Sequence, residues 1–280
     1  MALLQAVHGH YRSHPSPTLE KVRGASRCST LPVEQWDLAP NRIHLIGIRH
    51  RRQAEPGARQ VLDDVFVLLV RGVAFKFYGS TEPGATKPKN EPNYQYPFLV
   101  QWQHLYRFGW HKLSGTDWKE KVFHALKPVD PGVWVLRSTN VIPEDADLQG
   151  NLDGPNTTIN VHWSGGVTQN ATWSAGCQVI TGQSYINHRN EPVNCSRFAA
   201  NATMSEEAYD RLGRHIDGAY RTKGAYSVLE DLVVALSGAG QEDRVVRYML
   251  LLEEDLTLLP EIGESAAGTI LAQLKSSAPS

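Results

Sequence analysis

Two side chains in the stretch Asn160–Ile180, NVHWSGGVTQNATWSAGCQVI, have types and spacing suited to nucleophilic sulfur chemistry: His162 and Cys177. A thiol is a weak nucleophile near neutral pH, and a neighbouring imidazole converts it to thiolate. Gly176 directly precedes the cysteine and lets the backbone take a tight corner, so that the amides of Gly176 and Cys177 can face a developing oxyanion. Ser174 stands at the head of the same turn. The plainer alternative is that Cys177 is a small buried hydrophobe and His162 a strand histidine with a local partner.

Both residues need strands to place them. Thr158–His162 reads as a strand, and Val179-Ile180 opens another apolar run after the cysteine. Trp163 and Trp173 bracket the Gly/Asn/Thr-rich loop between them, as cleft walls or as packing. Upstream, Ile43–Ile48 is a short β-rich run. Val65–Val70 and Val73–Tyr78 flank Arg71-Gly72, which reads as a hairpin. Pro97–Val100 and the alternating Tyr106–His111 segment add aromatic strands, with Tyr106 and His111 candidates to line a site. Val133–Arg137 is a further strand, and Arg137 is a candidate carboxylate binder. Asp63-Asp64 reads as a solvated strand entrance rather than a metal site, and Leu113–His124 as a short helix or loop. Ser138–Pro155 is a long polar loop.

Downstream, Thr203–Glu206 is a capping box and Tyr209, Leu212, Ile216 and Ala219 recur at helical spacing. Ser227–Leu236 predicts a second helix and Val245–Leu252 a strand added to the sheet. The residues after Pro260 are small and polar and predict a frayed end. Residues 1–40 are polar and proline-punctuated, an extended arm with at most one short helical turn.

A chain of 280 residues with 41% hydrophobic content, seven Trp and ten Tyr has globular composition and length for a sizeable core. A formal charge of −1 speaks against a nucleic-acid binder, and no apolar run reaches the ~20 residues of a membrane span. Cys28, Cys177 and Cys195 are too few for a disulfide framework. The sequons at Asn156, Asn170, Asn194 and Asn201 read as turn-formers. His8, His10 and His14 lack the carboxylate or thiolate company of a metal site. Met1–Pro17 lacks a basic n-region and a long apolar core and does not read as a signal peptide, which places synthesis in the cytoplasm.

A histidine at a strand end, a loop and then Ser-x-Gly-Cys resembles the catalytic domain of the L,D-transpeptidase (YkuD-like) family, in a divergent branch with a WSAGCQV motif. The strand, hairpin and Ser80-Thr81 turn before it also look like the family's opening. Two positions depart from the pattern: Ala175 stands where the family usually has histidine, and Val179 where it commonly has arginine. Arg137 matters more for that reason. The resemblance implies a mainly β fold with α additions: an L,D-transpeptidase-like β-sandwich over 42–200, a polar arm at 1–41, a helical and strand elaboration at 201–260 and a flexible tail at 261–280.

It further implies Cys177 as nucleophile and His162 as base. The backbone carbonyl of Trp163 would orient the histidine, with the Asn160 side chain as an alternative, and Ser174 would order the loop. The implied partners are peptidoglycan stem peptides, with an immunity protein or delivery machinery; no metal or organic cofactor is implied. Without a signal peptide, action in the periplasm or on the cell wall requires non-classical delivery, as for an antibacterial effector or a phage-type wall enzyme. Two other readings stay open. One is a different cysteine peptidase. The other is a non-enzymatic binding module using Trp102, Trp110, Trp163 and Trp173 as a platform.

Overall fold

The computed structural model describes residues 1–15, 20–22, 28–50, 62–84, 94–111, 123–139, 151–165, 174–200, 221–237, 244–263 and 265–277. The chain is mainly β. Its strands are β1 (Ile43–Arg49), β2 (Asp64–Val70), β3 (Val73–Ser80), β4 (Tyr96–Leu99), β5 (Trp102–His111), β6 (Phe123–Pro128), β7 (Val133–Ser138), β8 (Leu152–Asn156), β9 (Val161–Trp163), β10 (Gln178–Ile186), β11 (Pro192–Asn194) and β12 (Val246–Leu252). Among the described residues the α-helices are α1 (Ala2–Ser13), α2 (Ala225–Leu236) and α3 (Ala266–Ser276).

Nine strands form one sheet in the order β11-β10-β3-β2-β1-β12-β5-β6-β9, and β9 pairs back onto β10. The sheet therefore closes on itself. One edge of β10 is shared, its first residues pairing in parallel with β9 and its later ones with β11. β4, β7 and β8 make a separate three-stranded sheet. The β2–β3 hairpin turns on Arg71 and Gly72, both at positive φ (48° and 80°), as a tight two-residue hairpin turn requires.

Alternation along the strands builds two cores. Leu45, Phe66, Phe77, Tyr106 and Tyr248 point to one face, where Tyr226, Leu229 and Val233 of α2 pack. Ile46, Ile48, Val65, Met249 and Leu251 point to the other, under Leu3, Leu4 and Val7 of α1 and Ala267 of α3. β1 and β12 are parallel neighbours covered on both faces, which is why both read as near-continuous apolar runs.

Several sequence expectations meet a different outcome. The extended arm contains α1, a three-turn helix whose Leu3, Leu4 and Val7 face is buried. Residues after Pro260 contain α3, tied down by buried Leu274 and by the Ser184 hydroxyl, which donates to the Leu274 carbonyl at 2.7 Å. Short helices of ordinary propensity are decided by the face they bury, which local sequence does not show. β8 lies inside the stretch read as a long polar loop, and β6 begins at the end of the one read as helix or loop. β12, read as a strand added to the sheet, is one, and it enters between β1 and β5. The capping box and helical spacing at 203–219 lie outside the described residues, as does 112–122.

Candidate active site

Asn156 begins the local structure of the site. Its Oδ1 accepts the N–H of Thr158 at 2.7 Å, the Thr158 hydroxyl at 2.9 Å and the N–H of Ile159 at 3.2 Å, an Asx turn that fixes the chain entering β9. That turn presents the Thr158 carbonyl to the Cys177 thiol, which donates to it at 3.2 Å. The Asn160 N–H in turn donates to Sγ at 3.3 Å. A donor aimed at sulfur favours the thiolate, whereas the bond to Thr158 favours the thiol and is lost on ionisation. Cys177 is half-buried. Burial pushes the Cys195 thiol up to about 12 and raises that of Cys28, whose sulfur donates to the Gly132 carbonyl at 3.0 Å. Neither of these thiols is placed to react.

The corner before the cysteine is specified twice over. Gly176 has φ 142°, and a Cβ there would lie 2.6 Å from both Cγ and the carbonyl oxygen of Pro97. The Ser174 hydroxyl donates to the Cys177 carbonyl at 2.9 Å and accepts the Gly176 N–H at 3.2 Å. The Gly176 amide is thus engaged by Ser174 in the absence of substrate. Its use toward an oxyanion requires exchange of that long bond. The Ser174 carbonyl accepts the Gly84 N–H, joining the turn to the segment after β3.

The parallel pairing of β9 and β10 brings His162 beside Val179, two residues along from Cys177. Because side chains alternate, His162 and Cys177 share a face of that edge. The carbonyl of Trp163 accepts a hydrogen bond from His162 Nδ1 at 2.6 Å. A carbonyl only accepts, so Nδ1 carries the proton and Nε2 is the basic nitrogen of the neutral ring. The His111 ring stacks on that of His162, centroids 4.7 Å apart and planes inclined by 18°. Asn160 does not orient His162; its Nδ2 donates to His111 Nδ1 at 2.9 Å.

Beneath the motif lies a buried polar network. The Gln178 side chain donates to the Thr81 carbonyl at 3.1 Å and accepts the Tyr248 hydroxyl at 2.9 Å. A side chain on Gly47 would overlap that hydroxyl, so the glycine opens its path across the sheet. Buried Arg49 donates to the Thr81 hydroxyl and carbonyl. Asp64 accepts the N–H groups of His50 and Thr81; burial raises its pKa, with a contribution from Asp63. The Asp63-Asp64 pair is therefore no wholly solvated entrance: Asp64 is a buried clamp on the end of β3.

Of the residues read as substrate-binding, His111 lies against His162. Tyr106 is fully buried beneath the strand and donates to the Ile159 carbonyl at 2.8 Å. Burial raises its pKa well above the phenol value, helped by Tyr248 and Cys177. It supports the site from within and does not line it. Arg137 is paired with Asp153 at 2.9 Å and donates to the Gln95 carbonyl at 3.2 Å. On β7 it is the direct cross-strand partner of Pro97 on β4, whose ring packs against the Gly176 corner. Trp173 lies outside the described residues. Sequence reading missed Gln178, Tyr248 and Arg49; the signal was a polar residue at the start of, within and at the end of an apolar run, respectively. Among the described residues, no group of three or more His, Cys, Asp or Glu is placed to hold a metal ion, and no helix is long and apolar enough to cross a membrane. No family model, curated protein or solved structure matches the chain.

Proposed function

We propose that the protein is a cysteine-dependent enzyme of the L,D-transpeptidase type that modifies peptidoglycan through an acyl-enzyme on Cys177. The observation that carries this reading is the tautomer of His162: with Nδ1–H held on the Trp163 carbonyl, Nε2 is the base, on the strand that pairs with the one directly after Cys177. The closed main sheet with its three-stranded companion is read as a form of that family's β-sandwich, with C-terminal helices and β12 as its additions.

In this mechanism His162 takes the thiol proton and the Cys177 thiolate attacks the carbonyl at the L-centre of the diaminopimelate residue in a tetrapeptide stem. The amide bond to the terminal D-alanine breaks as the imidazolium returns the proton to the leaving amine. A thioester remains. An amine of a neighbouring stem then displaces Cys177 to give a cross-link, or water does so to give a shortened stem. Arg137, beside Pro97, is the candidate for a stem carboxylate, exchanging its pairing with Asp153. Action on the wall requires delivery across the inner membrane, and an effector of this kind would be accompanied by an immunity protein in its producer.

The aromatic-platform alternative is weakened by burial: Trp102 is 3% and Trp163 8% exposed. The test is incubation of peptidoglycan with wild type, Cys177→Ala and His162→Ala, followed by mass analysis of the muropeptides. Loss of D-alanine or new diaminopimelate–diaminopimelate bonds with wild type only is expected, with each variant down by about 10³-fold or more. Full activity of Cys177→Ala sinks the mechanism.

A further inference from the structure

We propose that His111 is a positioning residue for the reacting pair, holding the base through its ring face and the thiol through Asn160. This rests on the reading of Cys177 as nucleophile. Two contacts meet at this one ring. His111 stacks on His162 at 4.7 Å, and its Nδ1 accepts the Asn160 amide at 2.9 Å. The backbone N–H of the same asparagine donates to Cys177 Sγ at 3.3 Å. The ring is wedged against Phe123, which is edge-on to it at 5.1 Å and also meets His162 edge-on at 6.0 Å.

The chemistry of the wedge selects a charge state. Asn160 is 4% exposed, and its Oδ1 has no partner among the described residues. With Nδ2 donating to it, Nδ1 of His111 is an acceptor and the ring is neutral, its proton on Nε2. When Cys177 ionises, His162 becomes the cation of the pair. A flat neutral ring against its face then stabilises it as a cation–π contact, and a second proton on His111 would repel it at the same distance. The titratable and charged groups that face the cluster from neighbouring elements include His162 on β9, Cys177 ahead of β10 and the Lys127 ammonium of β6, which donates to the Trp110 carbonyl at 3.3 Å beside His111. Tyr106 of β5 lies below, on the Ile159 carbonyl, and His124 of β6 turns away to Glu230 of α2.

The experiment reads the rate of Cys177 alkylation by iodoacetamide against pH, by mass, in wild type, His111→Gln and His111→Phe. Glutamine keeps an acceptor for Asn160 and removes the ring; phenylalanine keeps the ring and removes the acceptor. The expected result is a midpoint about one pH unit higher in His111→Gln, with a smaller rise in His111→Phe. In peptidoglycan turnover, kcat falls by about tenfold in His111→Gln with KM little changed. A structural role alone would lower the melting temperature without moving the midpoint, so wild-type midpoints in both folded variants overturn the proposal. A shifted midpoint in a protein that leaves muropeptides untouched separates this inference from the substrate reading. A wild-type Cys177 that titrates as an ordinary thiol defeats both.

Discussion

At the residue scale the site depends on backbone more than on side chains. The Cys177 thiol is held by a carbonyl and an amide, the His162 ring by a carbonyl, and the corner by a glycine. Gly176→Ala tests this directly. Its positive φ costs an L residue about 1–2 kcal/mol, and the added Cβ meets Pro97 at 2.6 Å on two atoms. The variant should melt several degrees lower and lose most turnover, because relief of the overlap moves Cys177 off Thr158 and Asn160. Melting and muropeptide release equal to wild type would mean the corner does not set the thiol. That a strand carries His162 and another follows Cys177 was legible in sequence from type and spacing. The engagement of the Gly176 amide by Ser174 was not, since a serine hydroxyl chooses its partner only when the turn is closed.

At the element scale, β5 carries both His111 and a buried histidine that links acid to unfolding. His104 Nε2 donates to the Val100 carbonyl at 2.9 Å, and its Nδ1 accepts the Thr30 hydroxyl at 3.0 Å. Burial pushes its pKa down to about 3, and the Arg49 cation acts in the same direction. The unfolded chain takes this proton near 6.5. Between pH ~6.5 and ~3 the unfolded state therefore binds more protons, and stability falls as pH falls through that window. The loss amounts to roughly 4 kcal/mol at its acid end. Burial also lowers the pKa of His44, which steepens the same slope. Urea midpoints at pH 7, 5 and 4 should fall more in wild type than in His104→Gln, and parallel declines would remove His104 as the cause. The strands themselves were readable where alternation was clean, as in Val65–Val70 and Val73–Tyr78. β6, FHALKP, was missed because its histidine and lysine find their partners, the Glu230 side chain and the Trp110 carbonyl, outside their own segment.

At the scale of the whole molecule, the sheet closes only because β12, late in the chain, enters between β1 and β5 in parallel with β1. A fragment of residues 42–200, the extent read from sequence as the catalytic unit, should therefore fail to fold: β1 and β5 would each present an unpaired edge, and the α2 face of the core would be lost. Expression of that fragment, with far-UV circular dichroism and a melting scan, is the check. A cooperative melt with intact muropeptide activity would show that β12 and α2 are ornaments. The amino-acid sequence by itself determined the residue types of the candidate site, the glycine corner, the β2–β3 hairpin and the β character of the chain, because these rest on interactions within a few residues. Tertiary structure alone decided that α1 and α3 form, that Asn156 and Asn160 serve the thiol, that His111 rests on His162 and that Gln178 meets Tyr248. Each of those depends on which apolar faces and buried polar groups find one another across long sequence separations, and such partners have no local signature.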